Sequence, residues 1–134
     1  IERVARKLHQ KNKYVVNTIG RDALKHLISV ANVLHAENPK DVEDDWIAAY
    51  QLKKGDFDIA DVNKELVRQI PSAMQMGKVY QRLIVDTALW NENYVDGICR
   101  VYNNDICDII DNYNCSAYYE PSYIIARAYQ NGGF

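Results

Sequence analysis

The side chains that most often carry out chemistry are few in this sequence, and their spacing favours no metal site. Three cysteines recur every eight residues, at Cys99, Cys107 and Cys115. Eight residues of continuous helix span about 12 Å, so neighbouring thiolates on one helix cannot share a metal ion. Two aspartate clusters, around Asp58 and Asp108, fit helix caps and a solvated helix face. The sequence therefore predicts no metal, no cofactor, and reduced cysteines that pack as small apolar residues.

An arginine and a histidine at the start of a predicted helix have side chains suited to phosphodiester chemistry. Arg21 and His26 lie five positions apart. Histidine serves as an acid or a base, and arginine stabilises phosphoryl charge. The segment from Arg21 to His26 resembles the Arg-x4-His motif of HEPN ribonucleases, small all-α domains in which such a pair acts on RNA. The resemblance makes Arg21 and His26 candidate catalytic residues. The alternative is that Arg21 caps or pairs locally and His26 packs beside an apolar stripe.

Charge is divided unevenly along the chain, although the formal net charge is only −2. Residues 1–25 hold seven basic and two acidic side chains, whereas the remainder holds nine basic and sixteen acidic ones. Lysine and arginine side chains placed on phosphates release counterions, so the basic region is a candidate nucleic-acid contact. Its candidate residues are Arg3, Arg6, Lys7, Lys11 and Lys13. The alternative is that these cations face solvent or dock against the protein's own acidic segments.

Tyrosine is the most unusual part of the composition, with ten residues against two phenylalanines. Seven of the ten lie beyond residue 90, most densely between Tyr118 and Tyr123. Tyrosine joins an apolar ring to a polar tip and is frequent at interfaces. Rings so close in sequence do not all reach one core. Tyr118, Tyr119, Tyr123 and Arg127 are therefore the candidate partner-binding residues. The alternative is that tyrosine replaces phenylalanine at the boundary of the core.

Helical periodicity over most of the chain indicates which elements hold these side chains. Apolar residues recur every three or four positions over residues 21–36, in a stripe so broad that it predicts a central helix buried on several sides. Asn38–Pro39 predicts the start of a helix over residues 39–54, with Gly55 at its end. A further helix is predicted from Asp58 to Pro71. No strand pattern is present. The sequence predicts one all-α domain over residues 1–134, a compact bundle of six to eight helices.

Length and composition exclude several classes of protein. A chain of 134 residues that is 48% apolar and 25% charged suits one packed domain and not a disordered chain. The longest uncharged run, His26–Ala36, has 11 residues, whereas a bilayer span needs roughly 20 apolar residues. No secretory signal is visible, and the cysteine number is odd. We therefore expect a cytoplasmic protein with no membrane partner.

The functional prediction depends on which catalytic and binding motifs the sequence contains and which it lacks. Phosphate-binding loops, nucleophile elbows and zinc-ligand spacings are all missing. We therefore expect a small non-enzymatic helical protein that binds another macromolecule, with the tyrosine-rich C-terminal surface as its contact with a protein partner or a second copy. The alternative is a nucleic-acid-binding protein, or an RNA-cleaving enzyme similar to HEPN ribonucleases, that uses the basic N-terminal region.

Overall fold

All the regular secondary structure of the chain is helical in a computed structural model that describes residues 1–134. Nine α-helices and one short 3₁₀ turn are present, with no strand, so the all-α prediction is confirmed. The elements are α1 (Glu2–Lys7), α2 (Asn12–Ile19), α3 (Arg21–Ser29), α4 (Ala31–Ala36), α5 (Pro39–Ala49), α6 (Ala73–Asp86), α7 (Tyr94–Tyr102), α8 (Ile106–Ile110), the 3₁₀ turn (Ala117–Tyr119) and α9 (Ser122–Asn131). None of these helices has the length and apolar character needed to cross a bilayer.

Short polar residues begin three of the helices, and one of them, Asn38, lies where the sequence predicts a helix start. Asn38, Ser72 and Asn93 each accept a hydrogen bond from a backbone N–H in the first turn of the following helix. Each bond satisfies a donor that has no partner within its own helix. The predicted end of α5 is wrong, because Gln51 adopts a positive φ of 52° and the helix stops before Gly55.

The core lies around α6. This helix packs against α1, α7 and α9, and α2 packs against α7. Apolar residues on α6 recur every three or four positions and therefore share one face. The fully buried side chains are Met76, Tyr80 and Leu83 on α6, Val15 and Val16 on α2, Val101 on α7, and Ile110 on α8.

The helix predicted to be central lies instead at the edge of the bundle. Residues 21–36 form two short helices that meet at Val30, and Leu24 is the only buried residue in either of them. Ile28 and Val33 are 42% and 61% exposed. The apolar stripe runs over two short helices, and of these only α3 places side chains against the core, namely Ala23, Leu24 and Leu27. The prediction of a helix buried on several sides is therefore wrong.

Residues 50–72, which we name the strap, contain no α-helix, although the sequence predicts one in their second half. The strap instead forms hydrogen bonds with distant backbone. The N–H groups of Gly55 and Phe57 donate to the carbonyls of Leu8 and His9. Tertiary hydrogen bonds of this kind satisfy backbone groups that would otherwise need a helix. The strap therefore lies across the α1–α2 connection.

A matched pair of leucine substitutions tests this division between core and strap. Leu83 is 2% exposed on α6, and Leu66 is 81% exposed in the strap. We expect Leu83→Ala to lower the free energy of unfolding by about 2–5 kcal/mol, because it leaves a cavity in the core. We expect Leu66→Ala to change it by less than about 0.5 kcal/mol. Urea unfolding monitored by circular dichroism measures both free energies. Equal losses of stability in the two variants would contradict the exposed position of Leu66 in the strap.

Candidate functional site

A row of tyrosine rings leads from the core to the surface. The centroids of Tyr113 and Tyr118 lie 5.3 Å apart and those of Tyr118 and Tyr119 lie 6.3 Å apart, with an interplanar angle of 70° in each pair. Tyr113 is buried, Tyr118 is half-buried and Tyr119 is 76% exposed. Edge-on aromatic pairs contribute about 0.5–1.5 kcal/mol beyond the area they bury. The exposed ring of Tyr119 is therefore supported from within the fold.

Tyr123 and Arg127 form a second exposed contact, on α9, the helix that follows the 3₁₀ turn. They lie four residues apart, on one face of the helix, and the Arg127 guanidinium carbon is 5.9 Å from the Tyr123 ring centroid. Tyr123 is 62% exposed, whereas Ile125 and Ala128 on the other face are buried. We name Tyr118, Tyr119, Tyr123 and Arg127 the tyrosine surface. The structure places the first two in the 3₁₀ turn that leads into α9 and the other two on α9 itself.

The basic residues of α1 are paired with acidic residues of α5. Arg3 binds Glu43, and the Lys7 ammonium lies 2.6 Å from Asp44 and 3.9 Å from Glu43. The hydrogen bond from Lys7 lowers the pKa of the Asp44 carboxyl. These contacts match the alternative in which the basic region docks against the protein's own acidic segments.

The remaining N-terminal cations lie near the strap and α8. The Arg6 guanidinium donates to the Tyr113 hydroxyl at 3.0 Å. The Lys11 ammonium lies 3.3 Å from Asp108 and 5.6 Å from the ring centroid of Phe57. Lys13 is exposed and forms no ion pair. Four of the five predicted nucleic-acid contacts are thus bonded to the protein itself, and a phosphate would have to compete with those contacts.

The structure places Arg21 and His26 on α3. The Arg21 guanidinium donates to both carboxylate oxygens of Asp96 on α7, at 2.5 and 3.2 Å. These hydrogen bonds lower the pKa of the Asp96 carboxyl. His26 is exposed, and its imidazole has no hydrogen-bond partner. The Arg21 guanidinium is thus held by Asp96, 75 residues away in the sequence, rather than by a local partner, and His26 does not pack beside an apolar stripe. The ribonuclease hypothesis stays a prediction.

The three cysteines are free and lie in different environments. Cys107 is buried, Cys99 is half-buried and Cys115 is exposed. Burial raises the pKa of the Cys107 thiol to about 12, so this thiol stays protonated at neutral pH. The prediction of apolar packing therefore fits Cys107 and fails for Cys115. No group of three or more His, Cys, Asp or Glu side chains is arranged to hold a metal ion.

A buried polar cluster, which the sequence analysis did not identify, crosses the core. The Tyr80 hydroxyl donates to Asp111 at 2.6 Å, and the Tyr102 hydroxyl donates to Glu2. The two tyrosine rings lie 4.7 Å apart. We name Glu2, Tyr80, Tyr102 and Asp111 the carboxyl cluster. Its sequence signal is an acidic residue on an otherwise apolar helical face, because Asp111 lies one turn after the buried Cys107.

Asp111 also lines a groove between the strap and α8. The groove has a volume of about 430 Å³. Carboxylates stand on both of its walls, and one lysine lies among them. The charged lining residues are Asp56, Asp58 and Asp61 on the strap, Asp108 and Asp111 at α8, and Lys11. Asp111 therefore brings one end of the carboxyl cluster to the groove.

No protein-family model, no curated protein and no solved structure matches the chain. Two features of the molecule therefore remain as candidates for function. The tyrosine surface points outward and is built from residue types that bind proteins. The carboxyl cluster points inward and contains two carboxyl groups, each of which accepts a hydrogen bond from a tyrosine.

The ion pairs between α1 and α5 can be tested through Glu43, whose side chain is 11% exposed and contacts Arg3 and Lys7. We expect Glu43→Gln to lower the free energy of unfolding by about 1 kcal/mol at low salt, and by less at high salt, because ions screen partly exposed pairs. Urea titrations at two salt concentrations measure this change. Asp45→Asn is the matched control, since Asp45 is exposed and forms no ion pair. Equal effects of the two substitutions would contradict a specific role for Glu43.

Proposed function

We propose that this protein binds another protein through the tyrosine surface. The observation that carries the proposal is the exposure of Tyr119 and Tyr123, at 76% and 62%, on a part of the fold that holds both rings in place. Tyrosine and arginine are among the residue types that contribute most to protein–protein binding. Exposed aromatic rings gathered on one surface are typical of an interaction site.

The buried tyrosines differ from the exposed ones in what their hydroxyls do. Tyr80 and Tyr102 donate to buried carboxyls, and the Tyr113 hydroxyl accepts from Arg6. At these three positions, the hydroxyl that distinguishes tyrosine from phenylalanine forms a hydrogen bond within the protein. The hydroxyls of Tyr119 and Tyr123 have no partner within the protein. Their polar tips are free to form hydrogen bonds with a partner protein.

The side chains of the tyrosine surface are already held in place in the unbound protein. Tyr119 rests on the ring of Tyr118, and Tyr123 packs under Arg127. Side chains that are already ordered lose less conformational entropy when they bind. Arg127 and the exposed Glu120, which follows Tyr119 in the sequence, carry one charge of each sign, so this region attracts neither a polyanion nor a polycation strongly. This balance favours a protein partner over a nucleic acid at this position.

Single substitutions in the tyrosine surface test the proposal. We expect Tyr119→Ala and Tyr123→Ala each to weaken partner binding by about tenfold or more, because each removes a large contact ring. Both should leave the free energy of unfolding within about 1 kcal/mol of the wild-type value, since the two rings are exposed. Light scattering detects a second copy as the partner. Capture from nuclease-treated lysate, followed by titration of the purified partner, detects a different protein.

Trp90→Ala supplies the control for this experiment. Trp90 is 95% exposed in the α6–α7 loop and does not belong to the tyrosine surface. The proposal is contradicted if both tyrosine variants bind the purified partner as tightly as the wild type, or if Trp90→Ala weakens binding as much as they do. Loss of all captured material after nuclease treatment would support the nucleic-acid alternative instead.

A further inference from the structure

A pocket apart from the carboxyl cluster and the tyrosine surface is lined mainly by cations. It has a volume of about 390 Å³ and is bordered by α1, α5 and the first turn of α6. On each of the first two helices, the lining residues lie three or four positions apart and therefore share a face. We name this space the cationic pocket. Its lining residues are Arg3, Arg6 and Lys7 on α1, Lys40 and Glu43 on α5, and Ala73 on α6.

The cations of this pocket are only partly neutralised by the protein. Two of the four are bound by Glu43 and Asp44 of α5, the only carboxylates within 4.0 Å of any of them. The other two, Arg6 and Lys40, form no ion pair. Four positive charges thus meet two negative ones, which leaves an excess of two positive charges. Such an excess in an open pocket attracts an anion.

Arg6 has a donor that finds no acceptor within the protein. Its Nη2 donates to the Tyr113 hydroxyl at 3.0 Å, and this hydrogen bond holds the guanidinium in place. Its Nε–H is buried and has no hydrogen-bond partner. Buried donors without an acceptor are rare in native proteins, and a bound ion is one way to satisfy them. This observation is independent of the charge count, and it indicates the same kind of ligand, one that accepts hydrogen bonds.

The first turn of α6 adds two backbone donors beside these cations. The Ser72 side chain accepts from the N–H of Gln75, whereas the N–H groups of Ala73 and Met74 have no acceptor within the protein. The first turn of a helix also carries the positive end of the helix dipole. Because Ala73 lines the pocket, the start of this 14-residue helix supplements the charge of the side chains.

We propose that the cationic pocket binds a phosphomonoester group. A phosphomonoester carries a charge of about −1.5 to −2 at neutral pH and has several strong acceptor oxygens, so it matches both the excess charge and the unpaired donors. The planar guanidinium groups of Arg3 and Arg6 suit phosphate oxygens in particular. The pocket is larger than one phosphate group, which leaves room for the organic part of the ligand. This site does not depend on the tyrosine surface.

Glu43 limits the affinity of the cationic pocket for an anion. Its carboxylate lines the pocket, binds Arg3 and lies 3.9 Å from the Lys7 ammonium. A bound phosphate shares those two cations with Glu43, and the two negative groups repel each other. Removal of the Glu43 charge therefore strengthens phosphate binding, although the same change weakens the contact between α1 and α5. These opposite signs distinguish a phosphate site from a purely structural set of ion pairs.

Calorimetric titration of the protein with phenyl phosphate tests the pocket. We expect Lys40→Ala to weaken binding by about fivefold, because it removes an exposed cation that has no other ion pair. We expect Glu43→Gln to strengthen binding by about fivefold, because it removes the carboxylate that competes for the cations. Lys54→Ala and Asp45→Asn are the matched controls and should bind as the wild type does. Both control residues are exposed, form no ion pair and lie outside the lining of the pocket.

Two measurements on the wild-type protein identify the ligand class and its position. Phenyl sulfate has the shape of phenyl phosphate but a single negative charge, and we expect it to bind about tenfold more weakly. In NMR spectra, phenyl phosphate should shift the amide signals of Ala73 and Met74. Co-sedimentation with phosphatidylcholine vesicles that contain phosphatidic acid, reduced by Lys40→Ala, would assign the phosphate group to a lipid headgroup. Absence of co-sedimentation would assign it to a free small molecule.

Several results would overturn the phosphate site. These are equal affinities for phenyl phosphate and phenyl sulfate, unchanged affinity in both Lys40→Ala and Glu43→Gln, or amide shifts confined to residues outside the pocket. Displacement of phenyl phosphate by a single-stranded RNA without a terminal phosphate would also overturn it, in favour of the nucleic-acid alternative. The variants of the tyrosine surface lie on other elements, so a failure of the proposed function and a failure of the phosphate site are distinguishable.

Discussion

The hydrogen bonds from Tyr80 to Asp111 and from Tyr102 to Glu2 satisfy the most costly groups in the interior of this protein. They join α1, α6, α7 and the end of α8, which are the elements that surround the core. A buried carboxyl without a donor costs several times the net gain from an ordinary hydrogen bond. The packing of these four elements therefore depends on tyrosine at positions 80 and 102, because phenylalanine would fill the same space without a donor.

The opposite charges of the two parts of the chain meet at the contact between α1 and α5 and at the contact between Lys11 and Asp108. The net charge of −2 is therefore the sum of two oppositely charged parts of the chain. The basic N-terminal region is bound mainly by the protein's own acidic residues. These surface pairs contribute modestly to stability, since most of their side chains are partly exposed. Their larger effect is on orientation, because they hold α1 beside the strap and α5.

The tyrosines connect the interior to the surface. Tyr113 accepts from Arg6 in the core, packs edge-on against Tyr118, and so supports the exposed ring of Tyr119. Tyrosine therefore accepts a hydrogen bond from the charged Arg6 side chain at the inner end of the row, and exposes the ring of Tyr119 at the outer end. Because Asp111 lies two residues before Tyr113, the carboxyl cluster and the row of rings share one short segment of chain.

The sequence by itself determined the all-α class and the start of α5, because the Asn38 cap and its N–H donor on Lys40 lie two residues apart. The candidate tyrosines were also visible from composition, since their number and clustering need no partner to be recognised. Only the tertiary structure decided that residues 21–36 lie at the edge, that the strap contains no helix, and that Asp111 accepts a hydrogen bond from Tyr80. Those outcomes depend on contacts such as Tyr102 with Glu2, separated by 100 residues, and local spacing carries no information about which distant side chains meet.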